Sequence, residues 1–278
     1  MIGDSIDLLK IYFGDPYIIS DKITLYQPSI NEIVQYGEKE FFAMLYMFIG
    51  NSTYRRLFLW ELGVDWNKIS DYELFCNMVR MLPKEKTQII FGDIDFETFE
   101  LIPTGFIPEE LPPTKEDGKK YTASEKRIKM FSDFEAAFTF VSEEEGIEIN
   151  AALYHHLVDV MREMVQIYPK TEYTVGKTSK ELIIEEERNK VKRAISEDDG
   201  HPSSMLLPLI SACVNHPGFK YKSSELRELK IYEFMDSVKR LQIYESTRAL
   251  LTGANSGFAD MSKVPKEQFD FMRPIKIS

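Results

Sequence analysis

The sequence predicts a predominantly helical α+β protein, built of packed helices with small antiparallel sheets. Capping signatures recur at Ser29, Ser70, Asn150 and Thr178, apolar residues mostly return at helical spacing, and period-two runs are few and short. With 278 residues, 44% of them apolar, the chain is long enough to bury a core without a disulfide or metal staple.

The elements follow in order. Residues 8–13 and 17–20 read as strands leading into 22–26, with Ser20-Asp21 as the turn, and Pro28 ends the pattern. Ser29-Ile30-Asn31-Glu32 is a capping box: the serine accepts from the amide three residues on, and the glutamate reaches back. A second helix follows Gly37, with Phe41, Phe42, Leu45, Phe48 and Ile49 on one face and Gly50-Asn51 as punctuation. Residues 53–62 form a third, closed by Gly63 in the position a left-handed cap prefers. Ser70-Asp71-Tyr72-Glu73 opens a fourth through Phe75, Met78, Val79 and Leu82, stopped by Pro83.

The period then changes. Residues 88–91 look like a short strand, and 94–101 fit either strand or helix. Pro103, Pro108, Pro112 and Pro113, with the charged run Lys115 to Lys120, mark a linker or long loop. The expected organisation is an N-terminal α+β domain over residues 1–102, a linker at 103–126 and a mainly helical domain over 127–278.

Beyond it, residues 138–141 and 147–149 resemble a hairpin around Glu143-Glu144-Glu145-Gly146. Asn150 caps the clearest helix of the chain, whose stripe of Leu153, Leu157, Val160, Met161, Met164 and Val165 is expected in the core. Residues 178–195 form a polar helix with few apolar anchors, either solvated or facing a partner. Residues 197–204 read as a second joint, and the apolar run 205–214 as buried. A long helix over 230–251 turns Ile231, Phe234, Met235, Val238, Leu241 and Tyr244 inward, with Asp236 and Arg240 paired on its wet side. The tail, with Pro265 and Pro274, is loop-like. Residues 11–15 and 89–93 are similar in sequence, but a pentapeptide repeated once reads as coincidence.

Charge and composition exclude several classes. The balance of 34 basic and 45 acidic side chains, a net −11, disfavours nucleic acid and anionic lipid. No early apolar run forms a secretory signal, because Asp4 and Asp7 interrupt it, and no stretch is long enough for a membrane span. Cys76 and Cys213 lack partners at metal spacing and read as core thiols in a reducing compartment.

Few residues invite chemistry. Gly176-Lys177-Thr178 has the end of a phosphate-loop pattern, but Thr171 stands where that pattern needs glycine, and Thr178-Ser179-Lys180-Glu181 reads as a capping box. Asp93, Asp95 and Glu97 would share one face of a strand and hold a divalent cation, or simply alternate with Ile94 and Phe96 as a solvent face. A calcium loop is excluded, because Thr98 and Thr104 occupy its glycine and glutamate positions. His155 and His156 diverge by about 100° on a helix and cannot chelate one metal together. His201-Pro202 and His216-Pro217 sit in turns, and Cys213, near His216, lies in an apolar run. No metal site and no cofactor is expected. Trp60 and Trp66, with Phe58 and Tyr72, pack around the Gly63 turn. Trp66, set among Asp65, Asn67 and Lys68, is the more exposed of the two and a candidate partner anchor, while the plainer reading makes the group a satellite core.

One stretch resembles a known group. Ser211-Ala212-Cys213-Val214-Asn215-His216-Pro217-Gly218-Phe219-Lys220-Tyr221, then Glu225-Leu226 and Phe234-Met235-Asp236-Ser237-Val238-Lys239-Arg240-Leu241-Gln242, is similar to tail-module proteins of bacteriophages infecting Gram-positive bacteria. Tyr12-Phe13-Gly14-Asp15-Pro16, Tyr36-Gly37-Glu38 and Trp66-Asn67-Lys68-Ile69-Ser70-Asp71-Tyr72-Glu73 have the same flavour. The chain thus resembles tail assembly chaperone-type proteins, which hold the tape measure protein before the tail tube polymerises. The resemblance implies a non-enzymatic protein of the host bacterial cytoplasm that binds a partner tail protein, and it brings no catalytic residues. The contact is expected in the C-terminal half, around Asn215, His216, Phe219 and Tyr221 and the polar face of residues 230–251, which carries Arg240. The plainer role for the same turn is to tie the last helices together. The competing classes are a structural component of the tail or virion, and a divalent-metal enzyme using Asp93, Asp95 and Glu97.

Overall fold

The structure, a computed structural model, describes residues 6–115, 117–196, 204–256 and 264–275. The chain is 56% helical, with two small antiparallel sheets among the described residues, and is predominantly helical α+β as its sequence predicts.

The N-terminal half opens with α1 (Leu8–Tyr12), where a strand was expected. The cause is Asp7, whose carboxylate accepts from the amides of Leu9 and Lys10 at 3.1 and 3.2 Å and starts a helical turn. The hairpin is β1 (Tyr17–Ser20) against β2 (Ile23–Leu25), with Tyr17 opposite Leu25. Next come α2 (Ile30–Tyr36), with the Ser29–Glu32 capping box formed in both directions, and α3 (Glu38–Ile49). Then α4 (Arg56–Glu61) is shorter than the 53–62 expected, and α5 (Asp71–Val79) is capped by the Ser70 hydroxyl.

Pro83 does not merely stop a helix. It stands at the N-cap of α6 (Lys84–Phe91), which replaces the strand expected at 88–91; proline suits a helix start, where no amide partner is lost. The two similar pentapeptides have a shared physical basis: each ends a helix at a left-handed glycine, Gly14 at φ +71° and Gly92 at φ +64°. A Cβ on Gly14 would also lie 2.6 Å from Lys230 Cγ, so that position needs glycine twice over.

Residues 94–103 resolve into a single 3-10 turn, Phe96–Thr98, and β3 (Glu100–Pro103). After α7 (Ala123–Ala137) come β4 (Phe138–Ser142) and β5 (Ile147–Ile149), the hairpin expected there. The sheet order is β3-β4-β5, with Glu100 opposite Val141 and Pro103 opposite Phe138. Residues 104–137 are therefore an excursion between two neighbouring strands, closed at its neck by Thr104 N donating to the Ala137 carbonyl at 2.9 Å.

The third part comprises α8 (Ala151–Val165), α9 (Lys177–Ser196), α10 (Leu206–Val214), α11 (Ser223–Leu226) and α12 (Ile231–Ser256). The α8 stripe is core: Leu157, Val160, Met161, Met164 and Val165 are buried, and Leu153 packs at its margin. One main core joins Ile11, Phe41, Phe48, Phe75, Phe140, Leu157 and Phe234, residues from both sides of the 103–126 segment. Backbone bonds also knit the ends of the chain, Ile30 N to Leu229 O and Asn31 N to Arg227 O at 2.9 Å, and Ile231 N to Pro28 O at 3.0 Å.

Several C-terminal expectations need correction. The apolar run 205–214 buries only Leu206 and Cys213. On α12, Met235, Val238 and Leu241 are half-buried and Tyr244 is 49% exposed, because the tail covers only part of that face. The tail forms the 3-10 turn Lys266–Phe269 and folds back on α12, where the Thr247 hydroxyl donates to the Gln268 carbonyl at 3.1 Å. The joint expected at 197–204 and the turn at His201 lie outside the described residues, except Ser204. Among the described residues no helix is long and apolar enough to cross a membrane.

Candidate functional site

The residues expected to bind a partner gather on the turn between α10 and α11, which faces α12. The turn is built locally: Asn215 Nδ2 donates to the Ser211 carbonyl at 2.8 Å, and Phe219 N to the His216 carbonyl at 3.0 Å. His216 Nδ1 accepts from Gly218 N at 3.0 Å, which leaves Nε2 to face Glu245 of α12 at 3.3 Å. Phe219 and Tyr221 meet edge to face, ring centres 5.6 Å apart, and lean on the main core. The Tyr221 hydroxyl donates to Glu233 at 2.8 Å, and that carboxylate, with some burial, pushes the phenol up to about 12. The turn thus ties α10 to α12, as its plainer reading has it, and leaves Asn215 exposed at the apex.

α10 itself is held at its N-terminus by a residue from elsewhere in the chain. Glu38 on α3 accepts from the amides of Met205 and Leu206 at 2.5 and 2.7 Å and from the Ser204 hydroxyl at 2.5 Å. A carboxylate at a helix N-terminus satisfies free amides and opposes the positive end of the dipole. The docking fixes which side of α10 is covered. Leu206 and Cys213 point in, while Met205, Leu207 and Val214 point out, Leu207 being 63% exposed. Sequence reasoning missed Glu38, since its partners lie more than 160 residues away.

Two expected site residues stand apart. Arg240 does not pair on the wet face of α12; its guanidinium donates to the carbonyls of Phe271 and Arg273 at 3.3 and 2.9 Å and straps the tail down. Trp66 is 1% exposed and belongs to a second, smaller core with Leu59, Leu74, Met78 and Ile184. This is the satellite core of the plainer reading and not an exposed anchor, because α9 crosses over the polar neighbours: Lys180 pairs with Asp65 at 2.6 Å and holds its ammonium 5.4 Å above the indole. Trp60 packs against Trp66, whereas Phe58 is exposed and Tyr72 belongs to the main core.

The other chemical candidates disperse. Asp93 faces solvent beside Lys84 at 3.4 Å, Asp95 caps the 3-10 turn through the Glu97 amide at 3.0 Å, and Glu97 is exposed. These acids lie in a turn and not on one face of a strand. Among the described residues no three His, Cys, Asp or Glu side chains form a metal-holding group. His155 faces Glu135 of α7 at 3.6 Å, and His156 lies against Tyr17. Gly176, at φ +95°, and not Thr178, precedes the first turn of α9; its carbonyl accepts from Lys180 N at 3.2 Å. Comparison with protein-family models, curated proteins and solved structures finds no match.

Proposed function

We propose that this chain is a protein-binding factor of phage tail assembly, holding a partner tail protein in the host bacterial cytoplasm and acting by binding without catalysis or cofactor. The observation that carries the reading is the open side of α10: an apolar helix is fixed in place by Glu38, yet Met205, Leu207 and Val214 face outward beside the exposed Asn215 turn. Apolar side chains left exposed on a rigid element are a surface suited to a partner. The net charge of −11 favours basic segments of that partner by steering encounter. The resemblance of residues 211–221 and 234–242 to tail-module proteins supplies its identity, the tape measure protein.

The test is coexpression with the tape measure protein encoded beside it. The expected result is that the tape measure protein becomes soluble and copurifies, while finished virions lack this chain. Failure to bind, with stoichiometric recovery of this chain from virions, overturns the reading in favour of a structural tail component.

A further inference from the structure

The C-terminal tail lies on α12 without entering a core. Among residues 264–275 no side chain is buried, and none belongs to the main or the smaller core. Hydrogen bonds hold the segment instead. The Arg240 guanidinium donates to the carbonyls of Phe271 and Arg273, and the Thr247 hydroxyl donates to that of Gln268. In return Arg273 donates to the Thr247 hydroxyl at 2.7 Å and to the Ser246 hydroxyl at 3.1 Å. Thr247 is 2% exposed, a buried polar side chain at the centre of this contact. The ring contact between Phe271 and Tyr244 joins two side chains that are each about half exposed.

Such a hold reads backbone and is weak. Arg240 and Thr247 bond to carbonyls, which every residue offers, and Arg273 supplies a side-chain anchor. Partly exposed hydrogen bonds replace bonds to water and stabilise little, while ordering the segment opposes them. The fit is also incomplete. A cleft of about 580 Å³ remains between the two, with Gln242, Ile243 and Ser246 on one wall and Gln268, Arg273 and Ile275 on the other. A segment held in this way opens more readily than the helix beneath it. The tail nevertheless brings a turn of its own making: Asp270 accepts from the Met272 amide at 2.8 Å, and Arg273 donates to the Gln268 and Asp270 carbonyls at 2.8 and 3.2 Å.

We propose that the face of α12 built by Arg240, Ser246 and Thr247 is a peptide-binding site, with the tail as its built-in competitor. The occupant it fits is a turn-forming segment of a partner protein. That segment presents carbonyls to Arg240 and Thr247 and an arginine to the two hydroxyls, as residues 268–273 do. The net charge of −11 favours a basic segment of this kind. Arg240, which the sequence marks for partner contact, is occupied by the chain itself until the tail is displaced. The site is additional to the open side of α10 and does not depend on which protein binds there.

A fluorescently labelled peptide of residues 264–275 is titrated into the full-length protein and into its Arg273→Ala variant, and anisotropy is read. The variant loses the anchor of the tail and nothing from either core, so its melting temperature is expected to stay close to that of the wild type. The peptide is expected to bind the variant saturably and the wild-type chain roughly tenfold or more weakly, because a tethered competitor acts at high effective concentration. Adding Arg240→Gln to the variant, or replacing the arginine of the peptide by alanine, is expected to abolish binding. Amide exchange of residues 264–275 is expected to be fast relative to α8 in the wild type and faster still in Arg273→Ala. No tail protein of a phage enters the experiment, so its outcome is independent of the function proposed above. Absence of binding to the variant, or equal binding to both chains, overturns the proposal. So does a concentration-dependent dimer of the wild-type chain that Arg240→Gln dissolves, since the seat would then belong to the tail of a second copy.

Discussion

The Tyr72 hydroxyl donates to the Ile149 carbonyl at 2.6 Å and accepts from the Phe140 amide at 3.0 Å. Phe140 and Ile149 lie opposite each other on β4 and β5, so a side chain from α5 completes the ladder of a sheet that follows it in sequence. Desolvation drives the phenol well above its usual range, and it stays a neutral donor at any ordinary pH. Tyr72→Phe removes one oxygen and leaves a buried amide and a buried carbonyl unpaired. The expected loss is about 1–3 kcal/mol of unfolding free energy by urea titration, with m unchanged. An unshifted midpoint would mean that the strands close on each other directly.

Among the described residues α9 contributes no side chain to the main core. Ile184 is its one buried side chain among the described residues, and its charged links are Arg56 to Glu187 at 2.5 Å, Lys180 to Asp65 at 2.6 Å and Arg188 to Glu61 at 3.7 Å. Partly exposed pairs contribute about 0–1 kcal/mol each, whereas burying an isoleucine contributes about 1.5–3 kcal/mol. Ile184→Ala is expected to speed amide exchange across residues 177–196 while the exchange of α8 stays slow. Equal acceleration in both helices would show that α9 opens only with the whole molecule.

How much was legible in the sequence followed the range of the interactions. Ser29, Asn150 and the α8 stripe act on their own helix within a few residues, and each was readable. Residues 8–13 misled because five apolar side chains masked the one that mattered, Asp7. Residues 88–91 misled because Pro83 reads equally as a stop and as a start, and only the packing of the helix after it decides. For Trp66 the small core around it was legible but its full burial was not: its neighbours in sequence are polar, and the side chain that covers it arrives from Lys180. The contact of Glu38 with α10 was invisible on the same ground, because its partners lie far away in the chain.

His155 makes the contact between α7 and α8 sensitive to pH. Its pKa is raised, first by the Glu135 carboxylate that faces it at 3.6 Å and further by Asp159 and Asp71. A folded value above the unfolded one, about 6.5, means that the stabilisation is fully present below that pH and is lost as pH rises through the folded value. His155→Gln is therefore expected to destabilise the protein at about pH 5.5 and to change little at about pH 8.5. Urea midpoints at the two pH values check this; an equal effect at both would assign the loss to packing.

Burial pushes the Cys76 thiol up to about 12 and also raises Cys213; the side chains are 0% and 2% exposed. The thiolate is the reactive form, so neither residue reacts in the native fold. Iodoacetamide followed by mass spectrometry is expected to leave the native protein unmodified and to add two groups in urea. Labelling of Cys213 alone without denaturant would reveal that α10 opens by itself.

Leu207 separates binding from folding. It lies on the outward side of α10, 63% exposed, while Leu206 beside it is buried and its amide is held by Glu38. Leu207→Glu removes apolar surface that contributes nothing to the core, and a new carboxylate in the first helical turn suits the dipole. The melting temperature is expected to move by no more than the equivalent of about 0.5 kcal/mol. If the open side of α10 is where the tape measure protein sits, the charge must then be desolvated against an apolar partner, and copurification should be lost. Asp7→Ala, which removes the cap of the distant α1, serves as the control that lowers stability yet leaves binding intact. Retained copurification by Leu207→Glu would place the contact on another surface.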